Sequence, residues 1–366
     1  MAKVKIAFII NNLGMGGAEN MLVEQLKSFD RSRFEPYLIT LLPNPDTGVI
    51  SRVPADVRFI KFNFSSIFDL RSLYQLWACL RKEKFKAVVT SLFDANLLGR
   101  TAAILARVPI ILSSELNVLE DKRKWQIMAD NILARFTKKI LVSSNEVLKF
   151  TSKQEKLLES KFQLNFNAVP LKLGQIKENR NAVLSKLGFP TELTYIVTAG
   201  SLTPQKGHKY LIDAAAQLKE RGVRNFKVLI FGKGVLKDEL IKQINSLNLA
   251  EDVKLMGIST MEEILAISDV FAFPSLWEGL SIALLNAMDA GCPIVATKIS
   301  GTNEVFEDSI SGLLVEPGKS DELSGALLRV VNDQGLRQKL AEGAKERVKK
   351  FSIEENVKVI ENLIWP

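Results

Sequence analysis

The stretch from Ser268 to Thr297, SDVFAFPSLWEGLSIALLNAMDAGCPIVAT, leaves this chain few folds to choose from. Val270 to Phe273 is a short apolar run halted by Pro274, the pattern of a buried strand. Ser281 predicts a helix start, with Ile282, Leu284, Leu285 and Met288 as the apolar positions. Gly291 predicts a left-handed helix end, and Pro293 to Ala296 the following strand. The unit is β-loop-α-β. Glu278 then falls in the loop at the carboxyl end of a parallel strand, where open α/β sheets bind ligands.

The rest of the chain repeats this alternation. In the first half, strands are expected at Lys3 to Ile10, Tyr37 to Leu42, Val57 to Phe64, Ala87 to Leu92, Ile110 to Ser114, Ile140 to Ser143 and Gln163 to Val169. Helices are expected between them, among them Asn20 to Phe29, Leu70 to Leu80, Asn96 to Ala106 and Trp125 to Phe136. In the second half, Tyr195 to Ala199, Lys227 to Phe231, Val253 to Met256 and Gly312 to Val315 join the two strands of the opening stretch. Helices at Lys206 to Arg221, Leu236 to Leu247, Met261 to Ile267, Asp321 to Val331, Leu336 to Lys350 and Ile353 to Ile364 complete it. Each half therefore predicts a doubly wound parallel sheet, with Pro170 to Glu178 as the link. At 366 residues, two domains also match the usual domain size. Two such domains imply a cleft between the carboxyl edges of their sheets.

Composition excludes several classes. No apolar run reaches the roughly 18 residues of a membrane span. Ile6 to Ile10 is too short for a signal peptide core. Cys79 and Cys292 are far apart and fit two reduced thiols of a cytosolic protein. His208 is the sole histidine, so a histidine metal centre or a Ser-His-Asp triad has little support. The net charge of +8 is uneven: residues 1–170 carry +9 and residues 171–366 carry −1. A basic first half suits an anionic partner, either nucleic acid or an anionic membrane face; solvated helix exteriors explain most of these cations as well. No nucleic-acid recognition motif accompanies the charge. The segment Lys122 to Lys139 mixes cations with Trp125 and Phe136, a composition suited to lipid headgroups and also to an ordinary packed helix.

Pro274-Ser275-Leu276-Trp277-Glu278-Gly279, followed by Gly291-Cys292-Pro293-Ile294-Val295-Ala296-Thr297, resembles the signature of the family-4 retaining glycosyltransferases. Their pattern carries a second Glu eight positions after the first, where this chain has Asn286. Gly200-Ser201-Leu202-Thr203-Pro204-Gln205-Lys206-Gly207 resembles the same family's Gly-Arg-Leu-x-x-x-Lys-Gly, with Ser201 in place of Arg. Gly16-Gly17-Ala18-Glu19, opening a helix after the first strand, is similar to the family's first loop.

The resemblance implies the GT-B fold: residues 1–172 as the acceptor-side Rossmann-like domain, 173–351 as the nucleotide-sugar domain, and 352–366 as a helix crossing back. Lys206 would neutralise the donor diphosphate, where charge grows in the transition state. Glu278 would contact the transferred sugar or its phosphate, and the amides of Gly279, Leu280 and Ser281 would meet the diphosphate. Asn286 keeps a carbonyl acceptor for ribose hydroxyls without the charge. Gly16, Gly17, Ser201 and Gly232 would border the donor, and Lys233 would replace part of the cation missing at position 201. Glu115 would hold a sugar hydroxyl or assist the acceptor proton. The expected activity is a retaining, metal-independent hexosyl transfer from a nucleotide-sugar, UDP-linked and needing no further cofactor. The acceptor would be a glycan or lipid-linked chain of bacterial polysaccharide, lipopolysaccharide or glycolipid synthesis, reached from the cytoplasm or its membrane face. The departures at 201, 286 and 115 leave two rivals: a non-catalytic nucleotide-sugar- or partner-binding relative, and an epimerase of the same fold.

Overall fold

The computed structural model describes residues 3–14, 16–45, 48–116, 119, 121–175 and 179–365. Met15 of the first glycine loop, Asn117 beside Glu115 and residues 176–178 of the expected link lie outside them. The chain divides into two compact units, Met1–Pro170 with Ser352–Pro366, and Leu171–Phe351.

The first unit holds β1 (Val4–Ile10), β2 (Phe34–Thr40), β3 (Arg58–Lys61), β4 (Ala87–Ser91), β5 (Ile110–Glu115), β6 (Lys139–Val142) and β7 (Phe162–Leu164). Their order is β3-β2-β1-β4-β5-β6-β7, every pair parallel. Parallel strands buried on both faces need apolar side chains at successive positions, and β1 has them. Ile6, Phe8 and Ile10 pack with Leu22 and Leu26 of helix Gly17–Ser28; Ala7 and Ile9 pack on the opposite face with Leu76 and Leu80 of helix Leu70–Glu83. Helix Ile353–Ile364 joins the first of these cores through Ile353, Val357, Ile360 and Ile364. Asn356 fixes it twice, donating to Phe166 O at 2.6 Å and accepting from Gln25 Nε2 at 2.7 Å.

The second unit holds β8 (Thr194–Ala199), β9 (Phe226–Phe231), β10 (Val253–Gly257), β11 (Val270–Phe273), β12 (Ile294–Thr297) and β13 (Leu313–Val315). The order is β10-β9-β8-β11-β12-β13, again all parallel. Helices His208–Glu220, Lys237–Ser246 and Ser320–Asn332 cover one face, and Arg180–Lys186 and Met261–Ala266 the other. The strand order reverses between β8 and β11, so the loops leaving those two strands diverge at a switch point.

Three expectations from sequence need correction. The helix after β4 begins as a π turn, Ala95–Gly99, before Arg100–Leu105 continues it. The wider turn accommodates buried Asn96, whose amide reaches Ser114 O at 3.0 Å. The expected strand to Val169 stops at Leu164; Asn165 and Asn167 interrupt the apolar run, and Val169 makes a single bridge to Ser352. Helices Arg180–Lys186 and Ser300–Val305 were not apparent from periodicity, each being less than two turns long.

Candidate functional site

In the second unit the site residues sit on the loops at the carboxyl ends of β8, β9 and β11 and on the helix that follows β11. Lys206 closes a 3₁₀ turn, Pro204–Lys206, in the loop after β8. Its ammonium pairs with Glu278 Oε1, and Glu278 lies in the loop after β11. Ser275 Oγ donates to the second Glu278 oxygen at 3.2 Å. The Lys206 ammonium also lies 5.9 Å from the centre of the Phe273 ring, within cation–π range. The two side chains are 14% and 16% exposed, so the pair is held yet open to a ligand.

Backbone contacts bring these loops together. Gly207 has φ +62°, and a Cβ there would meet Pro274 O at 2.1 Å. Gly232 has φ +156°, and its Cβ would meet Gly200 O at 1.8 Å. Side chains at either point would force the loops apart. Leu276 N donates to Gln205 O at 2.8 Å, and Leu202 N to Lys233 O at 2.9 Å. Lys233 is thus anchored by its backbone beside the β8 loop while its side chain is exposed. Ser201 is exposed, its hydroxyl 3.3 Å from Thr203 Oγ1.

Helix Ile282–Ala290 follows the Glu278 loop, with Ser281 at the N-cap and Gly291, φ +72°, at the C-cap. Ser281 makes no capping side-chain bond, so its hydroxyl does not close the first-turn amides. Leu280 and Ser281 are buried, and Gly279 is half-buried. Asn286 is half-buried and makes no side-chain hydrogen bond among the described residues.

In the first unit Gly16 is the N-cap of helix Gly17–Ser28 and offers no side chain to cap it. Glu115 ends β5 and is buried. One of its oxygens accepts from Asn96 Nδ2 at 3.1 Å, and the other lies 3.6 Å from Lys122 Nζ. Burial pushes its pKa up; Lys122, Arg100 and the Asn96 bond pull the other way.

A family model described as "Glycosyl transferases group 1" matches residues 179–347. That match lies within the second unit. An Escherichia coli UDP-Gal:alpha-D-GlcNAc-diphosphoundecaprenol alpha-1,3-galactosyltransferase is 28% identical, covering 99% of this chain and 97% of its own. A Campylobacter jejuni N-acetylgalactosaminyltransferase, named for a diphospho-undecaprenol-linked substrate, is 27% identical over 95% of both chains. Anabaena HepE in complex with UDP superposes with a TM-score of 0.85 at 21% identity, over 98% of this chain and 99% of that one. A Rickettsia africae glycosyltransferase reaches 0.86 at 19% identity over both whole chains. The fold is therefore GT-B.

Sequence reasoning missed two parts of the site. Ser275 was visible within the Pro-Ser-x-x-Glu-Gly pattern, but its bond to Glu278 was not. Thr297, the last residue of β12, donates to Ser275 O at 2.5 Å and so steadies the loop that carries Glu278. A Thr ending a strand gives no sign of that reach.

Proposed function

We propose that this chain transfers a sugar from a UDP-sugar to a polyprenyl-diphosphate-linked glycan, with retention of configuration, in the assembly of a bacterial envelope polysaccharide or glycolipid. The observation carrying this reading is the Lys206–Glu278 pair at the switch point of the second sheet. A departing diphosphate needs a cation fixed where negative charge grows. Lys206 is preorganised for that work by a carboxylate and an aromatic ring. Glu278 would take up hydroxyls of the transferred sugar as the ammonium turns to phosphate. The amides of Gly279, Leu280 and Ser281 offer further donors, and Asn286 a ribose contact. Exposed Lys233 would give the charge that Ser201 lacks, with Gly232 and Gly200 keeping the backbones close enough.

In the retaining step the bond from the anomeric carbon to the diphosphate oxygen breaks. The acceptor oxygen bonds to that carbon on the same face, and its proton passes to the departing phosphate oxygen. Neither a protein nucleophile nor a metal enters this scheme. In the first unit, Gly16 and Gly17 would border the donor and Glu115 would hold an acceptor hydroxyl. The acceptor class is supported by the two full-length relatives named for undecaprenol-linked substrates. No helix among the described residues is long and apolar enough to cross a membrane. Exposed Trp125, Met128, Ile132 and Phe136, beside Lys124, Arg135, Lys138 and Lys139, suit peripheral contact with an anionic leaflet.

The test is incubation of the protein with UDP-sugars and an undecaprenyl-diphosphate-linked GlcNAc, with and without EDTA, followed by NMR of the product. The expected outcome is one α-linked addition from one UDP-sugar, unaffected by EDTA and slowed about tenfold or more in Lys233→Ala, the loss of one charged hydrogen bond. A β-linked product would contradict retention, and no product with any lipid-linked acceptor would contradict the acceptor class.

A further inference from the structure

Five ionisable side chains share one buried cluster in the first unit. Glu115 ends β5, Lys122 lies in the connection after it, and Asp130 is in helix Lys124–Ala134. Glu155 caps helix Asn145–Gln154, and Arg100 follows the π turn. Their side chains are between 2% and 9% exposed. Lys122 Nζ stands at the centre, 2.6 Å from Glu155 Oε1, 3.0 Å from Asp130 Oδ2 and 3.6 Å from Glu115 Oε2. Arg100 pairs with Asp130 and donates to Asn96 O at 2.6 Å. Among the described residues Lys122 is the only ion-pair partner of Glu115.

Such a cluster seldom outperforms apolar packing for stability, whereas losing one partner leaves a bare buried charge at a cost of about 3–5 kcal/mol. Its persistence next to the carboxyl edge of the sheet calls for another role. Three carboxylates against two cations leave one negative charge in excess. Burial drives the pKa of Glu155 up to about 7 and raises that of Glu115, so the cluster readily holds a proton. Burial opposes a charge on Lys122, but Glu115, Asp130 and Glu155 outweigh it and raise its pKa. Thr90 Oγ1 donates to Asn96 Oδ1 at 2.6 Å, which turns the Asn96 amide toward Glu115 and favours its ionised form.

We propose that Lys122 is a positioning residue: it keeps Glu115 ionised and fixed at the end of β5, ready to accept a hydrogen bond from an acceptor hydroxyl. The inference rests on the reading above that Glu115 meets the acceptor. Asp130 and Glu155 hold the ammonium in place, and Asn96 sets the second oxygen of the carboxylate.

The experiment is a pH–rate series for acceptor kcat/KM on wild type, Lys122→Met, Lys122→Arg, Asp130→Asn and Glu115→Gln, with the melting temperature of each. An opposite charge within about 4–6 Å moves a carboxyl pKa by about 1–3 units. Lys122→Met should therefore move the acid limb up by about one unit or more and raise acceptor KM, leaving donor KM unchanged. Lys122→Arg should recover most of the wild-type profile. Asp130→Asn, which removes a negative charge that raises the Glu115 pKa, should move the acid limb down even if Lys122→Met fails to fold. A lowered melting temperature in Lys122→Met with a wild-type acid limb and acceptor KM would overturn the positioning role, as would an unmoved limb in Asp130→Asn. Wild-type rates in Glu115→Gln would instead remove the underlying reading of Glu115.

Discussion

At the scale of single residues, the sole histidine shows how the fold sets protonation. His208 is 2% exposed, its Nε2 3.2 Å from Ser201 O. Burial, with repulsion from Lys206, lowers its pKa to about 4 from 6.5. A histidine with a depressed folded pKa binds its proton more readily in the unfolded chain. Its contribution is fully present above pH 6.5 and is lost as pH falls toward 4, by at most about 3 kcal/mol. Urea unfolding of the second unit between pH 7 and pH 4 should show this loss, and His208→Asn should flatten it. An identical pH slope in the variant would disprove the assignment. The sequence named Lys206 and Glu278 because motif spacing preserves a loop that carries them. It did not reveal Lys122, Asp130 and Glu155 as a cluster. Those residues are dispersed along the chain, and each alone reads as a solvated charge.

At the scale of elements, the site depends on backbones that nearly touch. Gly207→Ala would strain a left-handed residue and drive a Cβ to within 2.1 Å of Pro274 O. The left-handed conformation alone costs about 1–2 kcal/mol, and the clash adds to it. The variant should melt lower and bind UDP more weakly, because the loops bearing Lys206 and Glu278 separate together. Calorimetric titration with UDP beside a melting curve checks this; unchanged UDP affinity with a lowered melting temperature would show that the loop contact does not govern the site. Elements with strong end signals were legible: Val270–Phe273, Ile282–Ala290 and Ile353–Ile364 lie where periodicity and capping put them. The π turn at Ala95–Gly99 was not, since nothing in local spacing marks one inserted residue. β7 ends at Leu164, where Asn165 and Asn167 interrupt the apolar run.

At the scale of the whole molecule, the chain is two doubly wound units. The second holds Lys206, Lys233 and Glu278 on the loops after β8, β9 and β11. The first carries the basic surface and the buried cluster behind Glu115. The rival non-catalytic reading, raised by Ser201 and Asn286, makes a different demand on the second unit: a site that no longer needs its cation. The decisive measurement is the thermal unfolding of wild type and Lys206→Ala with UDP, GDP and ADP. A ligand that binds only the folded state stabilises it by RT ln(1 + [L]/Kd), about 2.7 kcal/mol at a hundredfold excess over Kd. The account predicts a clear rise in melting temperature with UDP alone, mostly lost in Lys206→Ala, whose melting without ligand stays near that of wild type. An equal UDP shift in the variant, or no shift with any nucleotide in the wild type, would contradict it.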